Sequence, residues 1–208
     1  MPIQHVGRPI KRLEDPKLLQ GRDPYVNDVK LPGALSLAFA RSPHAHAVIK
    51  RIDTTAAKKI PGVVAVLTGA DINAEVGVIH TPIAPEMFAS MNRQGYTMLA
   101  EGRVRHVGEP VVVVAAETAQ AAVDGAEAVI VDYEPLPAVV DPEAALAKGA
   151  PLLYPDTGSN LGVSLKLEKG DVDAVFKTAP VIVDVKMINQ RVIPLAMEPR
   201  ACSAVPMA

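Results

Sequence analysis

Pro110-Val111-Val112-Val113-Val114-Ala115 is a continuous apolar run, and its reading decides the fold class. Branched Cβ atoms suit a pleated, packed surface, and an apolar run without alternation marks a strand covered on both faces. Thr118 then opens a stretch in which Ala119, Ala122, Val123, Ala126 and Val129 recur at helical spacing. The small side chains of that stretch let a helix axis lie close to a sheet. Gly125 in its middle costs about 1 kcal/mol relative to Ala, a loss that a close backbone contact offsets. Ile130 to Tyr133 returns as a strand. The result is a strand–helix–strand unit, which normally crosses over right-handed.

Working outward toward the start, Ala34 to Phe39 alternates and places Leu35, Leu37 and Phe39 on one face of a strand. Further strands are expected at Ala47 to Ile52 and Val63 to Leu67, with a helix between them from Thr54 to Ile60, capped by Asp53 and ended by Pro61-Gly62. The opening, Val6 to Leu31, reads as an ordered arm with a short helix, Lys17 to Gln20, between Asp15-Pro16 and Gly21. Asn73 to Ala100 carries Pro82, Pro85 and Gly95 and reads as a long surface excursion suited to touching a partner.

Toward the end, Glu134-Pro135-Leu136-Pro137 holds the chain extended, because residues before Pro avoid the helical region. A domain boundary is placed there. Beyond it the pattern predicts a helix (Pro142 to Lys148), a loop (Gly149 to Asn160), a strand (Gly162 to Leu167), a helix from Asp171, and strands at Val181 to Ile188 and Ala201 to Val205. These are too few elements to enclose a core of their own.

Composition narrows the function classes. Apolar residues make up 49% and aromatic ones 3% with no Trp, so Val, Ala, Leu and Ile must fill the core. A net charge of −2 without a basic stretch disfavours a nucleic-acid partner. The single cysteine, Cys202, excludes an internal disulfide and a thiolate metal cluster built by this chain alone. No apolar segment reaches the roughly 20 residues of a bilayer span, and the start lacks a secretory-type run, so a cytoplasmic location is expected.

Candidate chemistry is sparse. Neither G-x-G-x-x-G nor G-x-x-x-x-G-K-[ST] occurs, and Gly108-Glu109-Pro110 precedes the Val run instead of following it, the wrong end for a phosphate loop. His44 and His46 stand two apart beside the turn Ser42-Pro43, without a third metal ligand at suitable spacing, so capping or packing is the preferred reading. His106 follows Arg103 and Arg105, a setting that disfavours its protonation, and no paired carboxylate or nucleophile is evident. Cys202 sits among small residues in an expected strand and reads as buried and inert. Glu198 and Arg200 are placed for a same-face ion pair; a catalytic Glu198 would need a cleft and a raised pKa. No residue is assigned to catalysis, cofactor or metal.

The order of segments resembles the N-terminal part of the large, molybdopterin-binding subunit of the xanthine dehydrogenase and aldehyde oxidase family, in its carbon monoxide dehydrogenase-like branch. The matching segments include Val6-Gly7-Arg8-Pro9, Gly21-Arg22 to Asp28, Leu31-Pro32-Gly33-Ala34-Leu35, Arg41-Ser42-Pro43-His44-Ala45-His46-Ala47 and Pro61 to Gly69. They continue with Val107-Gly108-Glu109-Pro110-Val111, Val131 to Pro137, Gly170-Asp171-Val172-Asp173-Ala174 and Asn189-Gln190-Arg191 through Met197-Glu198-Pro199-Arg200. The resemblance implies a mixed α/β (α+β) fold: an N-terminal arm over 1–30, an α/β hammerhead domain over 31–140, and the truncated start of a molybdopterin-binding domain over 141–208. It implies hydroxylation of an aldehyde or N-heterocycle at a molybdenum cofactor, with electrons leaving through iron–sulfur clusters to FAD. The expected partners are the remainder of the large subunit, an iron–sulfur subunit and an FAD subunit. The family's Gly-rich cofactor segments and catalytic Glu lie beyond the residues present, so this chain is expected to be structural and inactive alone. Two other readings stand beside this one: a free-standing scaffold or interaction module, and a non-functional truncated gene product.

Overall fold

The structure is a computed structural model and describes residues 6–80 and 95–205, apart from Glu168, Arg191, Pro194 and Met197. It divides into two compact units: the larger is Gly33–Ala174, and the other comprises Met1–Pro32 and Val175–Ala208.

The larger unit holds two three-stranded antiparallel sheets. In the first, β5 (Pro110–Ala116) lies between β1 (Ser36–Arg41) and β3 (Val63–Thr68); in the second, β2 (Ala47–Asp53) lies between β4 (Arg103–Val104) and β6 (Ile130–Pro135). The Val run is thus a central strand, and Val111, Val112 and Val114 are fully buried. Helix α3 (Ala119–Glu127) follows, with the Thr118 hydroxyl accepting the Ala121 N–H at 3.1 Å as its N-cap. The expected crossover does not form. Both flanks of β5 are already occupied by β1 and β3, so β6 finds the free edge of β2 in the other sheet and runs antiparallel to it. One apolar cluster spans both sheets, joining Val66, Val111, Val112 and Val114 to Ala47 and Val104.

Residues directly opposed across strands share a face. Ala38 opposes Val114, whose Cγ1 meets α3 at Gly125, so the alanines of β1 lie on the helix side. Leu37 and Phe39 share the opposite face, as the alternation predicts, and are 61% and 39% exposed. Alanine, not leucine, fits beneath the closely packed helix.

Other elements differ from expectation. The Thr54–Ile60 helix shrinks to a single 3-10 turn at Ala57–Lys59, since Asp53 Oδ1 accepts the Thr55 N–H at 2.9 Å and closes a local turn instead. Helix α2 (Gly69–Val76) lies partly inside the expected surface excursion, capped reciprocally by Thr68 and Asp71. Residues 81–94 of that excursion lie outside the described residues. The short helix after the Pro-rich linker is α4 (Pro142–Ala145), and α5 (Val172–Thr178) follows Asp171, whose carboxylate accepts the Ala174 N–H at 2.9 Å. In the arm, α1 is Asp15–Leu19. The strands expected at 162–167, 181–188 and 201–205 are absent among the described residues.

Candidate interaction surface

The larger unit is locked by hydrogen bonds at the two places where the chain passes between sheets. The β1–β2 turn begins at Ser42, whose N–H donates to Glu109 O at 2.9 Å and whose carbonyl accepts from Gly108 N at 2.8 Å. The Arg41 guanidinium donates to Gly108 O at 2.9 Å. Gly108 has φ +85°, a backbone open to glycine and strained for other residues. The Glu109 carboxylate turns back to accept the Arg105 backbone N–H. The Arg41–Ala47 and Val107–Val111 segments, distant in sequence, therefore interlock.

His46 belongs to the same region. It is 4% exposed; its Nδ1 lies 2.9 Å from Pro137 O and its Nε2 3.3 Å from an Arg103 guanidinium nitrogen. A backbone carbonyl accepts only, so Nδ1 carries the proton and Nε2 accepts from Arg103. With Leu136 N–H donating to His46 O at 2.9 Å, this histidine fastens the Pro-rich linker to β2. His44 packs edge-on against Tyr133, with ring centroids 5.0 Å apart. Among the described residues no three of His, Cys, Asp or Glu are gathered as a metal site.

The structure corrects three site readings. The arginines flanking His106 point away from it: Arg103 toward His46, and Arg105 toward Tyr154, whose ring centroid is 4.5 Å from the guanidinium carbon, and Leu153 O at 3.2 Å. A carboxylate is instead its near neighbour, with Glu109 Oε2 3.7 Å from His106 Nδ1. The sequence signal for that contact was the i, i+3 spacing in a turn. Cys202 is exposed, because the strand meant to bury it does not form. Glu198 and Arg200 are exposed and make no salt bridge with each other among the described residues.

The phenols near the interlock are perturbed. Burial pushes Tyr133 above its usual range, opposed by the Ser42 hydroxyl and reinforced by Glu109. Burial likewise raises Tyr154, with Arg105 opposing. Both remain neutral hydrogen-bonding groups at physiological pH, not bases.

What the larger unit offers outward is apolar surface and open strand edge. A groove of about 450 Å³ runs between β1, α3 and β6, floored by Ala38, Ala40, Ala126, Val129 and Val131 and rimmed by Phe39, Arg41, Glu127 and Tyr133. Among the described strands, β1 pairs only with β5 and β6 only with β2, so each has an unpaired edge. Such edges are templates for another strand.

A family profile described as aldehyde oxidase and xanthine dehydrogenase, a/b hammerhead domain, matches residues 20–137. The chain belongs to that family. It is 39% identical over 199 residues to the nicotine 6-hydroxylase large subunit of Paenarthrobacter nicotinovorans, covering 96% of this chain and 24% of that one. It is also 39% identical over 215 residues to the carbon monoxide dehydrogenase large chain of Afipia carboxidovorans, covering 97% and 26%. Among solved structures, the aldehyde oxidoreductase of Desulfovibrio desulfuricans superposes with a TM-score of 0.70 at 28% identity, covering 82% of this chain and 19% of that one. The chain thus spans about a quarter of the length of the relatives it matches. These likenesses establish the mixed α/β hammerhead fold.

A further solved relative, 39% identical with a TM-score of 0.65, is described as a Cu,Mo-CO dehydrogenase, which raises the question whether this chain's residues fit a molybdenum cofactor. They do not by themselves. No ligand cluster exists among the described residues, and most positive-φ glycines, including Gly108, sit at turns with open space around them instead of forming a cradle for a phosphate or pterin.

Proposed function

We propose that this chain is the N-terminal, hammerhead-bearing portion of the molybdopterin-binding subunit of a molybdenum hydroxylase-type oxidoreductase acting on an aldehyde or N-heterocycle. Its own role is architectural. Residues 1–30 form an arm, 31–140 the hammerhead body and 141–208 the opening of the molybdopterin-binding domain. The remainder of the large subunit, an iron–sulfur subunit and an FAD subunit are its partners in the cytoplasm, and the cofactors reside with them. The supporting observation is the pairing of a family match over residues 20–137 with a described surface built of hydrogen-bonded locks and open strand edges.

The test is direct. The purified 208-residue chain should carry no stoichiometric molybdenum by elemental analysis and turn over neither aldehydes nor N-heterocycles with an artificial electron acceptor. Stoichiometric metal or measurable turnover by the chain alone would overturn the proposal.

A further inference from the structure

Four consecutive residues of β1, Ala38-Phe39-Ala40-Arg41, line the groove beside α3 and β6. A strand met face-on presents every second residue, so a consecutive run means that β1 turns its edge toward the groove. From β6 come Val131 and Tyr133, two apart, so that strand presents a face. Peptide groups along an antiparallel strand alternate in direction, and β1 pairs only with β5 among the described strands. Every second residue of β1 therefore directs its N–H and C=O into the groove. The space of about 450 Å³ exists because its floor is largely alanine, Ala38 and Ala40 from β1 and Ala126 from α3. Its two ends carry opposite charge. Arg41 lies at the Tyr133 end, where His44 packs on the Tyr133 ring with centroids 5.0 Å apart. Glu127 stands at the Ala38 end: it follows Gly125, which meets Val114, the residue opposite Ala38. It is the last residue of α3, where the helix carbonyls add negative charge of their own.

We propose that this groove receives a single extended peptide segment, added antiparallel to β1, with small apolar residues at alternate positions. The segment carries an acidic residue at its N-terminal end, against Arg41, and a basic residue at its C-terminal end, against Glu127. The open edge supplies main-chain hydrogen bonds and the alanine floor accepts every second side chain, which is recognition by strand addition. Antiparallel pairing is the more stable arrangement per residue. Charge then fixes the ends, because β1 runs from the Glu127 end to the Arg41 end. The Arg41 guanidinium uses one donor on Gly108 O at 2.9 Å and keeps others for a carboxylate. The occupant is one segment and not the sheet edge of a folded partner. An edge strand has a neighbour on its far side, and in this groove that neighbour would collide with β6 and α3. A second copy of this chain, whose β1 carries β5 beside it, is excluded on the same ground. The surface stands apart from the molybdenum chemistry of the relatives and goes beyond the architectural role above.

The probe is a fluorescently labelled peptide about as long as β1, acetyl-Asp-Val-Thr-Val-Thr-Val-Lys-amide, titrated with the full 208-residue chain and followed by anisotropy. Saturable one-to-one binding is expected. N-methylating one alternate set of its amides should weaken binding about tenfold or more, since those amides bond β1, while methylating the other set should change little. Glu127→Lys should weaken the probe about fivefold and leave unchanged the affinity of a second peptide in which the terminal Lys is replaced by Thr. Glu127 is exposed, so the thermal melt of that variant should match the parent. No saturable binding would overturn the proposal. Equal losses from both methylated sets would overturn the edge pairing, and equal losses of both peptides on Glu127→Lys would overturn the assigned direction. A dimer of the chain that the probe disperses would overturn the single-segment occupant in favour of a second copy.

Discussion

Gly125→Ala tests the packing that organises the hammerhead unit. A methyl added there would lie 2.8 Å from Val114 Cγ1 and 3.1 Å from Val63 Cγ2. Val114 is 0% exposed, β-branched and held in the central strand, so it cannot swing aside as the end of a long side chain would. Overpacking of this kind costs about 1–3 kcal/mol, against about 1 kcal/mol gained from replacing a mid-helix glycine. The net expectation is a loss of about 1 kcal/mol, which at a urea slope of about 2 kcal/mol per M lowers the unfolding midpoint by about 0.5 M. Val114→Ala alone should cost about 2 kcal/mol through lost burial and the cavity left behind. In that background the closer obstruction is gone and only Val63 Cγ2 at 3.1 Å remains, so Gly125→Ala should cost clearly less than in the parent, moving toward the gain of about 1 kcal/mol that replacing a mid-helix glycine brings. Urea titration followed by far-UV circular dichroism on the four proteins reads the cycle. An increase in stability for Gly125→Ala in the parent, or an equal loss in both backgrounds, would refute the close-approach argument.

Two further outcomes follow from the hydrogen bonding. Asn73, 9% exposed, donates to Leu99 O at 3.0 Å and accepts from Leu99 N at 3.3 Å, tying α2 to the chain's return toward β4. Asn73→Ala leaves the Leu99 carbonyl to the Thr97 hydroxyl at 2.8 Å but orphans the buried Leu99 N–H, so a loss of about 2 kcal/mol is expected, checked by urea unfolding and by faster hydrogen exchange at that amide. For acid, the Thr55 and Thr68 backbone N–H groups hold Asp53 and Asp71 below their ordinary value of 3.8, and Lys50 holds Glu134 below 4.5. Carboxylates depressed in the folded state contribute stability above the unfolded pKa and lose it as pH falls through the folded one. The thermal midpoint should therefore decline on acidification below about pH 4, and Asp53→Asn with Asp71→Asn should flatten that decline; an unchanged acid slope would count against the assignment.

How much of this was legible from residues alone depended on whether the answer was local. The run Val111 to Val114, the Thr118 cap and the close approach at Gly125 could be read because propensity, capping and side-chain size act within a few residues. The strand partners could not. Nothing in Ile130 to Tyr133 says that the flanks of β5 are taken and that β2 has a vacant edge. The interlock of Ser42 with Gly108 and Glu109, and of His46 with Arg103 and Pro137, joins segments as many as 91 residues apart, and each member looked unremarkable by itself. Two local cues do lie in the sequence: Thr68 with Asp71 three residues on, which starts α2, and His106 with Glu109 at the same spacing.

The same β-prone chemistry thus has two fates in one chain. Val111 to Val114 are buried because β1 and β3 pair with β5 on either side, whereas Val181, Val183, Val185 and Met187 are outside the described strands and stay exposed. Propensity proposes a strand, but available pairing decides it.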